Sequence, residues 1–184
     1  MRWWPLTGIC YAMLIAAATV GCGSNPKPEP EPKPEPTRLE ISLSATEDVN
    51  PNADGFPSLI VVRLFVLRGQ SAFASADFFA LWDTEQAVLA RDLLSREELV
   101  LKPGQTMILN NIIDPDARVL GVAGAYQDIH RATWRAMAPL TESQTNALKI
   151  ELASRAVSLE VLPQQDKPEK QTKDKAKDKK KEDK

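Results

Sequence analysis

The 184-residue chain is poor in the residues that build reactive centres. It has one His and two Cys, too few for a His/Cys metal cluster. No Gly-x-Ser-x-Gly motif surrounds a candidate nucleophile, and no glycine-rich phosphate loop is present. No long apolar run recurs, which excludes a polytopic helical membrane protein. Basic residues are not in excess, with 23 Lys and Arg against 25 Asp and Glu. Yet 43% of the residues are apolar, so the chain is not disordered throughout. Enzymatic function is not expected, and neither is a metal.

What is present is strongly segregated. Arg2 gives a positive start, Leu6 to Ala18 form an apolar run, and small residues lead to Gly21-Cys22. That order predicts an export signal over residues 1–21. An uncleaved anchor is the alternative, since Trp3 to Gly21 nearly spans a bilayer. The sequence Thr19-Val20-Gly21-Cys22 resembles a lipobox, with Thr19 where Leu is usual. In such signals the Cys becomes the first mature residue, and its thiol takes a thioether-linked diacylglycerol. Apart from that covalent lipid on Cys22, no cofactor is expected. Several acyl chains are needed for stable anchoring, because one binds membranes only marginally. No Asp follows Cys22, which favours sorting to the outer membrane. With Cys10 lost and Cys22 capped, the mature chain has no thiol for a disulfide or a cysteine nucleophile.

Residues 22–36 continue as a tether. From Asn25 to Pro36 proline takes every second position, which favours polyproline II and a stiff spacer of about 35–40 Å. A ligand for a proline-binding domain is the other reading. The segment 164–184 holds nine Lys, six Asp or Glu and no apolar side chain larger than Ala apart from Pro168. It cannot bury surface and is expected to be a disordered tail. Such a tail is either merely solvated or touches anionic lipid, lipopolysaccharide or peptidoglycan.

Thr37–Pro163 is the expected globular unit. Its 11 Arg or Lys face 16 Asp or Glu, which argues against nucleic acid as a partner. Arg38–Ala45 alternates apolar and polar residues, as a half-buried strand does. Thr46–Ser58 is rich in Asn, Asp, Pro and Gly, and predicts a long loop. Leu59–Arg68 is nearly all Leu, Ile, Val and Phe, the pattern of a central strand covered on both faces. Residues 72–95 predict two short helices, one across Thr84–Leu94 with a cap formed by Asp83 and Gln86. Strands are then expected at Glu97–Lys102, Gln105–Ile112, Arg118–Tyr126, Ala132–Pro139, Ala147–Ala153 and Ala156–Leu162. Pro103-Gly104 and Ser154-Arg155 supply tight turns, and two glycines within Arg118–Tyr126 suggest close packing or a bulge. Eight short strands at this spacing indicate an all-β sandwich with a small helical insertion. His130 reads as a loop or strand-edge residue, Asp114-Pro115-Asp116 as a turn, and Glu97-Glu98 as a solvated strand start.

An ordered series of residues along this unit carries a family resemblance. It runs from Asn50-Pro51 and Pro57 through Val61-Val62-Arg63-Leu64-Phe65-Val66-Leu67. It continues with Phe73, Ala76-Asp77-Phe78, Leu81, Leu89 and Asp92-Leu93-Leu94. Pro103-Gly104, Leu120-Gly121-Val122-Ala123 with Tyr126, and Trp134-Arg135 complete it. Behind a lipobox, this series resembles the TssJ (SciN) family, the outer-membrane lipoprotein of the type VI secretion system. The resemblance implies a transthyretin-like β-sandwich anchored by lipid to the periplasmic face of the outer membrane. It implies no catalysis. The implied partner is the periplasmic C-terminal part of TssM, and through it TssL. It also implies that the loop between the first two strands makes that contact, which maps onto Thr46–Ser58. There Asp48, Asn50, Asn52, Asp54, Gly55 and Phe56 are the candidate contact residues. Phe56 is an aromatic anchor candidate, and Glu47, Asp48 and Asp54 are suited to basic partner groups. Alternatively Phe56 caps the open end of the sandwich and the acids are only solvated. A carrier or periplasmic chaperone on the same sandwich is the competing function; it would need an apolar pocket or an open sheet edge.

Overall fold

A computed structural model describes residues 35–163. The expected signal peptide, Cys22, all but the last two residues of the tether, and the segment 164–184 lie outside the described residues.

Eight strands form two four-stranded sheets, each with one face on a shared core. They are β1 (Arg38–Ala45), β2 (Ile60–Leu67), β3 (Leu93–Leu101) and β4 (Thr106–Ile112), then β5 (Val119–Ala125), β6 (Arg135–Pro139), β7 (Thr145–Leu152) and β8 (Val157–Val161). One sheet has the order β4-β1-β7-β8, the other β3-β2-β5-β6. All neighbours are antiparallel except β1 and β7, which run parallel. The alternation in β1 does what its spacing predicts: Leu39, Ile41 and Leu43 are buried between the sheets while Glu40 is exposed. Ile60, Val62, Leu64 and Val66 of β2 meet them from the opposite sheet, with Leu120, Val122, Leu148 and Ile150 filling the layer.

β2 is covered on its second face too. Phe65 and Leu67 pack into a separate cluster with Phe73, Leu81 and Leu89 from the helical insertion. That insertion is α1 (Ser71–Ser75), α2 (Phe78–Asp83) and α3 (Glu85–Leu89), followed by one 3-10 turn at Ala90–Asp92. Gly121 makes the docking possible: a Cβ there would lie 2.9 Å from the Phe73 ring. This is the close approach that the glycine suggested. Arg135 closes α1 by donating Nη1 hydrogen bonds to the Phe73 and Ala76 carbonyls, at 3.1 and 2.6 Å.

The helices differ from the expected pair. Thr84–Leu94 is not one helix, because Ala90 takes a positive φ of 45° that stops α3 at Leu89. Leu93 then pairs with Leu67, so Leu93 and Leu94 open β3. The working cap is Asp77, whose side chain accepts from the Ala80 amide at 3.0 Å; Asp83 is the last residue of α2. Glu97-Glu98 is likewise not a strand start but lies inside β3, and Glu98 accepts from Arg63 Nε at 2.6 Å. Arg63 also pairs with Glu85 at 3.1 Å and lies 3.9 Å over the Trp82 ring, which ties α2 and α3 to the sheet.

Tyr126 is 5% exposed, and its hydroxyl has no hydrogen-bond partner among the described residues. Burial pushes its pKa well above the usual tyrosine range. Tyr126→Phe is therefore expected to stabilise the domain by about 1 kcal/mol at pH 7, since it removes an unsatisfied buried donor. Above about pH 10 the unfolded chain loses this proton while the folded chain keeps it, so stability falls as pH rises. Thermal melts at neutral and alkaline pH check both points: the variant should melt higher at pH 7 and show a shallower alkaline decline.

Candidate partner-binding site

The strand directions define two ends. The chain enters β1 at Arg38 and leaves β8 after Val161 at one end, which also holds the end of β2 and the start of β7. Loop 46–59 stands at the other end, with the β3–β4 turn, the β5–β6 loop and the β7–β8 turn around it.

The loop is held from within and from each neighbour. Val49 is fully buried, and its carbonyl accepts from the Ser58 amide at 3.1 Å. Asn50, only 4% exposed, donates Nδ2 to the Leu59 carbonyl at 2.7 Å and accepts from the Gln127 amide at 2.8 Å through Oδ1. Its own amide donates to the Ser154 carbonyl. Asn50 adopts a φ of 49°, a left-handed conformation that Asn tolerates better than most residues. Asn52 then folds the tip. Its Oδ1 accepts from the amides of Asp54 and Phe56 at 3.0 and 2.9 Å, while its own amide donates to the Phe56 carbonyl. Gly55 supplies the turn with a φ of 84°. Thr46 donates to Asp48 Oδ1 at 2.6 Å.

The six candidate residues thus divide. Asn50 turns its side chain to the backbone of Leu59 and of Gln127 in the β5–β6 loop, and Asn52 to the backbone of its own loop tip. Asp48, Asp54, Gly55 and Phe56 are exposed. Phe56 is 67% exposed, so it does not cap the open end of the sandwich. Leu59, 55% exposed, stands three residues further on and was not singled out from the sequence. The run Leu59-Ile60 hid it: alternation with buried Ile60 and Val62 was the available signal, blurred where the strand pattern merges into the loop. A rigid loop tip with an aromatic ring and acids on its surface can seat an apolar partner group and pair with basic ones. No proton-transfer or nucleophilic arrangement accompanies it. His130 is exposed in a turn, as expected, and Asp114 accepts from the Asp116 amide at 2.8 Å in a local turn.

A recess of about 430 Å³ opens between β3 and β4 near the end where the chain enters. Its apolar lining of Leu39, Ile41, Leu64, Val66 and Leu120 belongs to the closed core, each residue at most 7% exposed. It is a crevice in the seam of the sandwich, with its rim formed by Arg96, Glu97, Asn111 and Asp114.

Residues 37–155 match the family described as type VI secretion lipoprotein, VasD, EvfM, TssJ. The chain belongs to this family. The TssJ resemblance read from the sequence is therefore correct, and the family is one of secretion-complex lipoproteins rather than enzymes. The crystal structure of the type VI lipoprotein TssJ1 from Pseudomonas aeruginosa is similar at 36% identity and a TM-score of 0.68, covering 71% of this chain and 99% of that one. Serratia marcescens Lip, described as a membrane-bound component of the type VI system, is similar at 29% identity and a TM-score of 0.63, covering 67% and 96%. A chain in a structure described as the TssM C-terminal domain (869–1107) from EAEC is similar at 28% identity and a TM-score of 0.56, covering 66% and 99%. No curated protein sequence matches. The fold is the transthyretin-like β-sandwich of the TssJ structures, with the helical insertion on one sheet.

Proposed function

We propose that this type VI secretion lipoprotein is held at the periplasmic face of the outer membrane by a lipid on Cys22. Its exposed loop 46–59 binds the periplasmic C-terminal region of TssM, and TssM links it to TssL. The observation that carries this reading is the loop's position. It stands at the end of β1 opposite the point where the chain enters the domain. An anchored domain would present it away from the lipid. The match in the TssM structure supports the pairing: two thirds of this chain spans 99% of a chain far shorter than the stretch 869–1107. The carrier alternative needs an apolar pocket or an open sheet edge, and the apolar wall of the β3–β4 crevice consists of buried core residues.

Phe56→Ala tests the loop. The ring is exposed and supports nothing in the fold, so thermal stability should hold. TssM binding should weaken by about thirtyfold, the effect of removing a central aromatic anchor of about 2 kcal/mol. Titration calorimetry with the TssM periplasmic domain measures it. Unchanged affinity for both Phe56→Ala and a Gly/Ser replacement of the loop tip would move the interface elsewhere.

A further inference from the structure

The two four-stranded sheets have four edge strands, β3, β4, β6 and β8. Three are guarded against pairing by charge or proline. β3 carries Arg96, Glu97 and Glu98, β6 carries Arg135 and Pro139, and β8 carries Glu160. β4 has no such guard: its sequence, Thr106-Met107-Ile108-Leu109-Asn110-Asn111-Ile112, contains neither a charge nor a proline. Met107 and Leu109 pack on the core, whereas Ile108 and Ile112 are 65% and 64% exposed on the outer face. The free backbone belongs to the same outward set. The Ile113 amide donates to the Thr37 carbonyl and the Ala45 amide to the Gln105 carbonyl, so the odd-numbered residues of β4 bond β1. Thr106, Ile108, Asn110 and Ile112 therefore turn their N–H and C=O groups to the open edge, where no strand pairs with them among the described residues.

We propose that β4 pairs antiparallel with β4 of a second copy of this chain, joining two four-stranded sheets into one of eight strands. The strand is self-complementary in one register. When the two Asn110 residues lie opposite each other, Ile108 of each copy lies opposite Ile112 of the other. Four exposed Ile side chains then form two cross-strand pairs. The paired residues are even-numbered, so this register also joins the backbone groups that face outward. The charges agree with it. Lys102, in the turn before β4, and Asp114, in the turn after it, are both exposed, and neither is ion-paired among the described residues. Antiparallel pairing sets the Lys102 turn of each copy beside Asp114 of the other.

The pairing suits a tethered domain. Its two-fold axis is perpendicular to the sheet and passes beside Asn110, near the end where the chain enters. Arg38 lies opposite Ile112, so three strand spacings and four residues separate the two chain entries, about 20 Å in all. Two proline spacers of about 35–40 Å reach one membrane from that distance. With the axis along the membrane normal, both copies meet the bilayer alike. Both loops 46–59 stay clear of the seam, because they lie at the far ends of the β1 strands and point outward in opposite directions. A single strand pair is a small contact, and confinement of the chains to one surface raises their effective concentration. The proposal goes beyond the TssM reading and does not depend on it.

The test is disulfide crosslinking in whole cells that make the full chain, with a mild oxidant added. The Cα atoms of a hydrogen-bonded antiparallel pair lie about 5.5 Å apart, within reach of a disulfide. Asn110→Cys, a change at an exposed position, should therefore give a covalent dimer of twice the chain's mass. Lys149→Cys is exposed on the same sheet but lies in β7, five strand spacings or about 24 Å from its counterpart, and should give about tenfold less. The unaltered chain supplies the background from Cys10 and Cys22. Adding Ile108→Lys and Ile112→Lys to Asn110→Cys should remove the dimer, since each pair then opposes two like charges, while circular dichroism of the variant is preserved. No dimer from Asn110→Cys, as much from Lys149→Cys, or a dimer that survives both Ile→Lys changes would overturn the proposal. So would a crosslinked band of any other mass in place of the dimer, because another protein's strand would then hold the edge. Failure of the anchor reads differently: the chain with Cys22 intact would leave the membrane fraction, whatever the crosslink shows.

Discussion

Phe73→Ala should destabilise the domain by about 3–5 kcal/mol, a large fraction of what a domain of this size has to lose. The ring is fully buried, 5.4 Å from the Phe65 ring centroid, and lies against the open face of Gly121. Gly121 has no side chain and Phe65 is held in β2, so neither of these two neighbours fills the space. Chemical denaturation monitored by tryptophan fluorescence measures the loss. Trp82 and Trp134 flank the Phe78 ring, at 5.0 and 5.3 Å between centroids, so loosening of the helical insertion should also change their emission. The companion change Gly121→Val should be about as damaging, since its Cβ would enter the ring's space. Loss of less than about 1 kcal/mol in both would mean that the helices are not held by this contact.

Asn50→Ala should be the most damaging change in loop 46–59. It leaves the Leu59 carbonyl and the Gln127 amide without their side-chain partners, and it places Ala at a positive φ. A cost of about 2–4 kcal/mol follows from two orphaned backbone groups and the strained backbone together. The instructive comparison is Asn50→Gly, which loses the same hydrogen bonds but suits the backbone; it should recover roughly 1 kcal/mol. Binding to the TssM domain should fall in both variants although Phe56 is untouched, because the partner would have to reorder the tip. Denaturation and titration of the two variants side by side separate fold from recognition.

The strands were largely legible because their alternation and turn residues act locally. β1, β2, β4 and β7 fall within two residues of where Arg38–Ala45, Leu59–Arg68, Gln105–Ile112 and Ala147–Ala153 predicted them. The helical insertion was legible as a presence but not in its parts. Its boundaries depend on Ala90 taking a positive φ, which nothing in an Ala announces. Asp83 reads as a cap by composition, but it is the last residue of α2, and the side-chain cap is made by Asp77 at that helix's start. In the loop, Asp54 and Phe56 are contact candidates from their setting, with capping of the open end the alternative for Phe56, and both are exposed. Asn50 and Asn52 looked equally available. What distinguishes them is that Asn50 reaches a backbone amide 77 positions away, a contact no local pattern encodes.

β1 has a consequence for mechanics. It is an interior strand, paired on one side with antiparallel β4 and on the other with parallel β7, with tether and loop 46–59 at its opposite ends. Tension between the proposed Cys22 lipid and a partner held at the loop would act on the two ends of this one strand. Both attachment points then lie on one continuous backbone, so the covalent chain of β1 carries the load and neither ladder is sheared. A load applied at the two ends of β1 would thus pass through the domain without having to break either sheet.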